Sequence, residues 1–183
     1  LVLASTGGDQ FYNSAIFNNT GSSYLHIAYN SSNNLFAGVT TFNNVPTADT
    51  AIYIGWYSTG VLFNNDIVVN ATSGSGVQFC GGNATASAVL ASGQTISIGV
   101  NGFSSGILSL RHFTQSGSIP LNLSTTGNSE VRLGPSGNFG GAVTISSPNI
   151  YASTSVFNSP VILTKTDATA SNASSGGNTF NAD

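Results

Sequence analysis

Apolar positions in this chain recur as short runs of strand length, separated by turn-forming residues, and the runs are of two kinds. The first kind opens on Phe, passes through about three small or turn-favouring residues, and closes on a brief apolar stretch. Its copies open at Phe11 (FYNSAIF), Phe36 (FAGVTTF), Phe63 (FNNDIVV), Phe139 (FGGAVTI) and Phe157 (FNSPVIL). Read from tail to head, Phe180-Asn181-Ala182-Asp183 followed by Leu1-Val2-Leu3 makes a sixth. The closing position is Phe17, Phe42, Val69, Ile145, Leu163 or Leu3. Six opening Phe plus Phe17 and Phe42 account for eight of the eleven Phe residues, so the aromatics serve the repeat.

The second kind reads apolar, any, apolar, small: Leu25-His26-Ile27-Ala28, Ile52-Tyr53-Ile54-Gly55, Val77-Gln78-Phe79-Cys80 and Val131-Arg132-Leu133-Gly134. Alternation of this sort is the period-two signature of a strand with one buried face. Phe11 to Phe36 spans 25 residues and Phe36 to Phe63 spans 27. Periods of this length mark solenoids, whose single unit cannot bury its own apolar face. Between 83 and 138 the register blurs, although Gln94–Val100, Ile107–Leu110 and Ile119–Leu123 still alternate between turn clusters. No segment keeps a helical period over three turns.

The pattern therefore predicts an all-β parallel β-solenoid with about 25 residues per rung. Residues 1–183 read as one period of a tandem array: regular rungs over 1–82, less regular ones over 83–138, and regular rungs over 139–183 that join the next repeat. Seven rungs at about 4.8 Å each would rise roughly 34 Å. Large apolar residues would stack inside, corners would take Gly, Asn, Asp or Ser, and Asn columns could bridge successive rungs through their amides.

Composition narrows the partners. Charged residues are 5% of the chain, with Ser, Thr, Asn and Gly taking the surface positions that Lys and Glu usually fill. Stacked like charges repel, which accounts for their scarcity in a rung architecture. Three basic residues, Arg111, Arg132 and Lys165, are too few for a phosphate-binding face, so nucleic acid is not an expected partner. Nor is membrane insertion, because no segment approaches the ~20 apolar residues of a span. The absence of Met and of a basic stretch before LVLAS fits an internal piece of a longer protein.

Candidate chemistry is sparse, and no catalytic residue, cofactor or metal ligand is expected. Asp9, Asp49, Asp66, Glu130, Asp167 and Asp183 are scattered, with Asp66 and Asp183 in one turn column. His26 falls in an outward column with Tyr53, Gln78 and Arg132. Cys80 aligns with Ala28, Gly55 and Gly134, where the stack wants a small residue. Thr40, Thr41, Thr144 and Thr164 suggest a threonine column of the kind an ice-binding face would need. The sequons at Asn18, Asn30, Asn70, Asn83, Asn122 and Asn172 include two, Asn18 and Asn70, that share a column with Asn43 and read as corner residues. Tyr53, Trp56 and Tyr57 are candidate contacts for a neighbouring chain or for cell-surface glycans.

The runs GGNTFN, VNATSGSGVQF, LASGQTISIGVNGFSSGILSLRHFTQSGS and LTKTDATASNASSGGNTFN resemble giant repetitive surface proteins of gliding, marine-type bacteria. The resemblance covers essentially the whole chain. It implies an exported, non-catalytic module of an extracellular adhesive filament, of the grappling-hook type by which predatory filamentous bacteria snag prey. The partners it implies are identical repeats head to tail and parallel copies of the chain. The alternative reading is a carbohydrate-binding or carbohydrate-active β-helix such as a tailspike or lyase.

Overall fold

The computed structural model describes residues 1–168 and 175–182, all of whose regular elements are strands. The chain winds through three faces per turn. The first face carries β1 (Gln10–Phe11), β4 (Ser32–Phe36), β7 (Thr59–Phe63), β10 (Ser87–Leu90), β13 (Phe113–Gln115), β16 (Asn138–Phe139), β19 (Val156–Phe157) and β21 (Thr179–Phe180). These eight form one parallel sheet in that order. The second face holds β2 (Ala15–Asn19), β5 (Thr40–Asn44), β8 (Ile67–Ala71) and β11 (Ile96–Phe103), then a separate sheet of β14 (Leu121–Ser124), β17 (Val143–Ser147) and β20 (Val161–Lys165). The third face stacks β3 (Leu25–Ile27), β6 (Ala51–Ile54), β9 (Gly76–Phe79), β12 (Ser105–Leu110), β15 (Asn128–Leu133) and β18 (Asn149–Ala152).

One column of paired residues measures the turns. It runs Phe11, Phe36, Phe63, Leu90, Gln115, Phe139, Phe157, Phe180, which makes seven intervals of 25, 27, 27, 25, 24, 18 and 23 residues. All six ladder Phe residues thus occupy one column. Neighbouring rings stack at 4.9, 4.6, 5.4 and 5.0 Å for Phe11–Phe36, Phe36–Phe63, Phe139–Phe157 and Phe157–Phe180. A stacked pair contributes about 0.5–1.5 kcal/mol beyond its burial. A second inward column, Phe17, Phe42, Val69, Ile98, faces it from β2, β5, β8 and β11.

Corners explain much of the rest. The residue ending each third-face motif turns into the left-handed region: Ala28 at φ 51°, Gly55 at 62°, Cys80 at 52° and Gly134 at 98°. Bulky β-branched residues resist that conformation, so a small or unbranched residue recurs there. At Gly55 an added Cβ would also press on Val61 Cγ2 at 2.8 Å. Between the first and second motifs, amides tie rung to rung: Asn43 Nδ2 donates to Asn18 Oδ1 at 2.7 Å, and Asn70 Nδ2 to Asn43 Oδ1 at 2.8 Å. Inside the corner Asn19 Nδ2 donates to Asn44 Oδ1 at 2.9 Å, and a third ladder links Asn138, Asn158 and Asn181.

Two placements depart from the sequence reading. Leu1–Leu3 do not lie on the second face. Leu3 N–H donates to the His26 carbonyl, His26 N–H donates to the Leu1 carbonyl, and Val2 bridges His26, all on the third face. Ala4, at φ 52°, then takes the same corner conformation as Ala28, so LVLA is a copy of the second motif rather than the tail of the first. The four threonines also do not form one column: only Thr41 and Thr144 share one, and other residues stand between them. Thr40 is buried opposite Ile67, Thr41 faces out between Ile16 and Val68, Thr144 lies between Asn122 and Ile162, and Thr164 pairs with Ser146. The shortest turn, 18 residues, runs from Phe139 to Phe157.

The middle does break the second face. In β11 the register jumps between Ile98 and Phe103, which pair with Val69 and Ala71, so four residues stand opposite Asn70 alone. Val100 at the tip of this bulge is fully exposed. Pro120, just ahead of β14, offers no N–H to the strand before it.

Candidate functional site

The inward columns spend the apolar residues on the core, so any function must come from what points outward. On the second face that is short and mostly uncharged: Ile16, Thr41, Val68 and Ser97 in one column, Asn122, Thr144 and Ile162 in its continuation. The third face differs. Its outward column runs Val2, His26, Tyr53, Gln78, Ser109, Arg132, Tyr151. Tyr24, Tyr29, Trp56, Tyr57, Arg111 and His112 lie within three residues of its strands. Five of the chain's six Tyr, its one Trp, both His and two of its three basic residues are thereby collected on one of three faces.

The rings form one continuous cluster over the first two turns, around β3 and β6. Tyr53 sits 5.1 Å from His26, 5.2 Å from Tyr24 and 4.1 Å from Trp56. His26 in turn touches Tyr29 at 4.8 Å, and Tyr29 touches Tyr57 at 5.4 Å. Trp56 is held because Gly81 and Gly82 of the next turn leave it room: a Cβ on Gly81 would come within 2.2 Å of the indole Cζ3. Tyr24 is 46% exposed and Tyr57 37%, which leaves ring surface available from solvent. The candidate contacts Tyr53, Trp56 and Tyr57 are thus brought together, with Tyr24, His26 and Tyr29 joining them.

Further along the axis, Arg111, Arg132, Gly134, Pro135 and Tyr151 line an open pocket of about 400 Å³. Arg132 pairs with Glu130 and lies 5.9 Å over the Tyr151 ring. Among the described residues Arg111 has no ion pair, and its buried Nε has no hydrogen-bond partner. His26 Nδ1 and Ser109 Oγ are likewise buried without partners, so three of the five such atoms among the described residues belong to this face. Burial and the nearby N-terminal charge hold His26 below the usual imidazole value; burial and Arg111 do the same to His112.

The remaining candidates have local uses. Asp66 Oδ1 accepts from Thr95 N–H at 2.8 Å, Asp49 accepts from Ser75 Oγ at 2.6 Å, and Glu130 holds Arg132. Cys80 is fully buried, and burial pushes its thiol up to about 12. Asn18 and Asn70 have their amides in the ladder, with Asn70 almost fully buried; Asn83 Oδ1 caps the turn at Thr85 and Ala86. Asn30 and Asn122 are exposed, while Asn172 and Asp183 lie outside the described residues. No group of three or more His, Cys, Asp or Glu that could hold a metal occurs among the described residues. No helix among them is long and apolar enough to cross a membrane.

Fold and site together define a three-faced parallel β-solenoid in which a single face is chemically distinct. No protein-family profile, no curated protein and no solved structure matches this chain.

Proposed function

We propose that the chain is a structural, non-catalytic module of an extracellular adhesive filament, extended by stacking rung upon rung. The observation that carries this reading is the state of the last rung. Phe180 is 57% exposed, while Phe36, Phe63, Phe139 and Phe157 in the same column are at most 1% exposed. Its ring lies 5.0 Å from Phe157 and nearly parallel to it, with its other side open. Leu163, paired with the buried Ile145, is similarly 39% exposed at the end of the second face. At the opposite end Phe11 and Phe17, on the inward columns, are only partly buried. A further rung, supplied by more chain or by another copy, would cover such surfaces and pair their strand edges.

The carboxylates of Asp49, Asp66 and Glu130 each serve a neighbouring residue, which supports a structural use of these acids. Continuous strand pairing along the axis would carry tension, and the number of modules would set length. The test is sedimentation of the isolated 183 residues over a wide concentration range. The expected result is end-to-end oligomers that grow with concentration and are suppressed by Phe180→Asp. A fully folded protein that stays monomeric at high concentration would contradict the proposal.

A further inference from the structure

We infer that the third face is a binding strip for a linear acidic polysaccharide. Aromatic rings at Tyr24, Tyr53 and Trp56 would lie against the C–H faces of sugar rings, and Arg111 would receive a carboxylate. Because it names what an adhesive module holds, the inference rests on the adhesive reading, but it is tested on monomeric protein and so stands or falls separately from assembly.

Four features point to this ligand. The first is segregation: a chain with three basic residues places two of them, with six aromatic side chains, on one face. Those aromatics are rigid, amphipathic contact groups that lose little entropy on binding. The second is electrostatic. Arg132 already has Glu130, whereas Arg111 lines the same pocket without an anionic partner among the described residues. A planar guanidinium is matched to a carboxylate through paired N–H donors. The third is the shape of the face. From His26 to Tyr151 the outward column takes five rung steps, or about 24 Å at ~4.8 Å per rung, along one line. A strip of that form suits an extended polymer. The fourth is what the column lacks. The core of a protein interface is apolar, but here the only aliphatic residue in the column is Val2 at its end. Nucleic acid would need several unpaired cations, and the face has one.

The test is titration of dilute, monomeric protein with polygalacturonate, a linear uronate polymer, with neutral dextran as the comparison. Arg111→Gln removes a guanidinium that makes no ion pair among the described residues, and Tyr53→Ser removes the central ring. Ile162→Ser, on the exposed second face, serves as the control, and circular dichroism checks that each variant folds. The expected result is polygalacturonate binding that weakens with added salt and exceeds dextran binding. It falls about tenfold or more in Arg111→Gln, as for loss of a charge-assisted hydrogen bond, and at least severalfold in Tyr53→Ser. Ile162→Ser binds as the parent does. No binding, equal binding of dextran, or binding indifferent to both variants would overturn the inference. So would self-association abolished by Tyr53→Ser without polymer binding, because that outcome would make the face a lateral contact between copies.

Discussion

The first column solves one packing problem in two ways. In turns one to three, and again at the end, the position is Phe and the rings stack with interplanar angles of 10–15°. In the middle the same column holds Leu90 and Gln115, and the volume is filled from elsewhere. Phe113 enters two residues earlier on β13, edge-on to Phe79 at 5.4 Å, and Phe103 is buried at the end of β11. Gln115 Nε2 donates to the Ile119 carbonyl at 2.6 Å, while its buried Oε1 has no partner. An aromatic stack is therefore a convenient solution to a rung core and not a required one. What every turn shares is the parallel pairing; the left-handed corner residue is displaced by one place after β12, to His112, and after β18, to Thr154.

The comparison can be broken most severely at Phe63, stacked on Phe36 and fully buried. Phe63→Ala should cost about 3–5 kcal/mol in urea unfolding, whereas Gln115→Ala in the same column should cost about 1 kcal/mol, because it removes one hydrogen bond and no stacked ring. Equal losses at the two positions would show that the stack is not where the stability lies.

Next in size is the corner. Cys80→Ser should destabilise by about 1–3 kcal/mol by burying a hydroxyl in place of a thiol. The thiol should resist alkylation at pH 8 until the protein unfolds. A thiol raised from 9.0 to about 12 contributes stability that is complete below pH 9 and is lost as pH rises towards 12. Fast modification of folded protein would mean that this corner opens.

On the second face, Asn43→Ala breaks both ladder bonds and should cost about 1–2 kcal/mol. Val100→Ser, in the bulge where pairing is already interrupted, should stay within about 0.5 kcal/mol.

The smallest effect is the pH dependence of the third face. His26 and His112 both have lowered values, so folding favours their neutral forms. That stability is present above the ordinary value of 6.5 and is lost as pH falls through the folded values. The urea midpoint should therefore drop between pH 7.5 and 5.5, and the drop should shrink in His26→Gln.

The Phe column and four of the third-face strands are legible in the sequence because their markers are unusual residues at fixed offsets. Phe11, Phe36 and Phe63 leave no doubt about register, and a small residue closes each second motif. Legibility fails where the markers are replaced. Leu108-Ser109-Leu110 belongs to the third face, but Arg111 stands where the small residue should be. Ile150-Tyr151-Ala152 lacks the second large apolar residue. Leu1-Val2-Leu3 matches either motif by composition, and only its pairing with Leu25–Ile27 decides between them.

The site suffers from the same loss. Tyr53, Trp56 and Tyr57 are neighbours in sequence and can be seen as a group. Adding Tyr24, Tyr29, Arg111, Arg132 and Tyr151 to one face requires register across the middle turns. The bulge in β11 and the 18-residue turn from Phe139 to Phe157 remove that register from the sequence.

The central claim is that the rungs continue past both ends of the module. It is tested most directly by cryo-electron microscopy of the assembled protein. The account predicts an unbranched filament with unbroken spacing of about 4.8 Å along its axis and eight rungs, roughly 38 Å, between the Phe36 positions of successive modules: the seven steps from Phe11 to Phe180 and one more to the next Phe11. A discrete particle whose Phe180 remains exposed to solvent would contradict it.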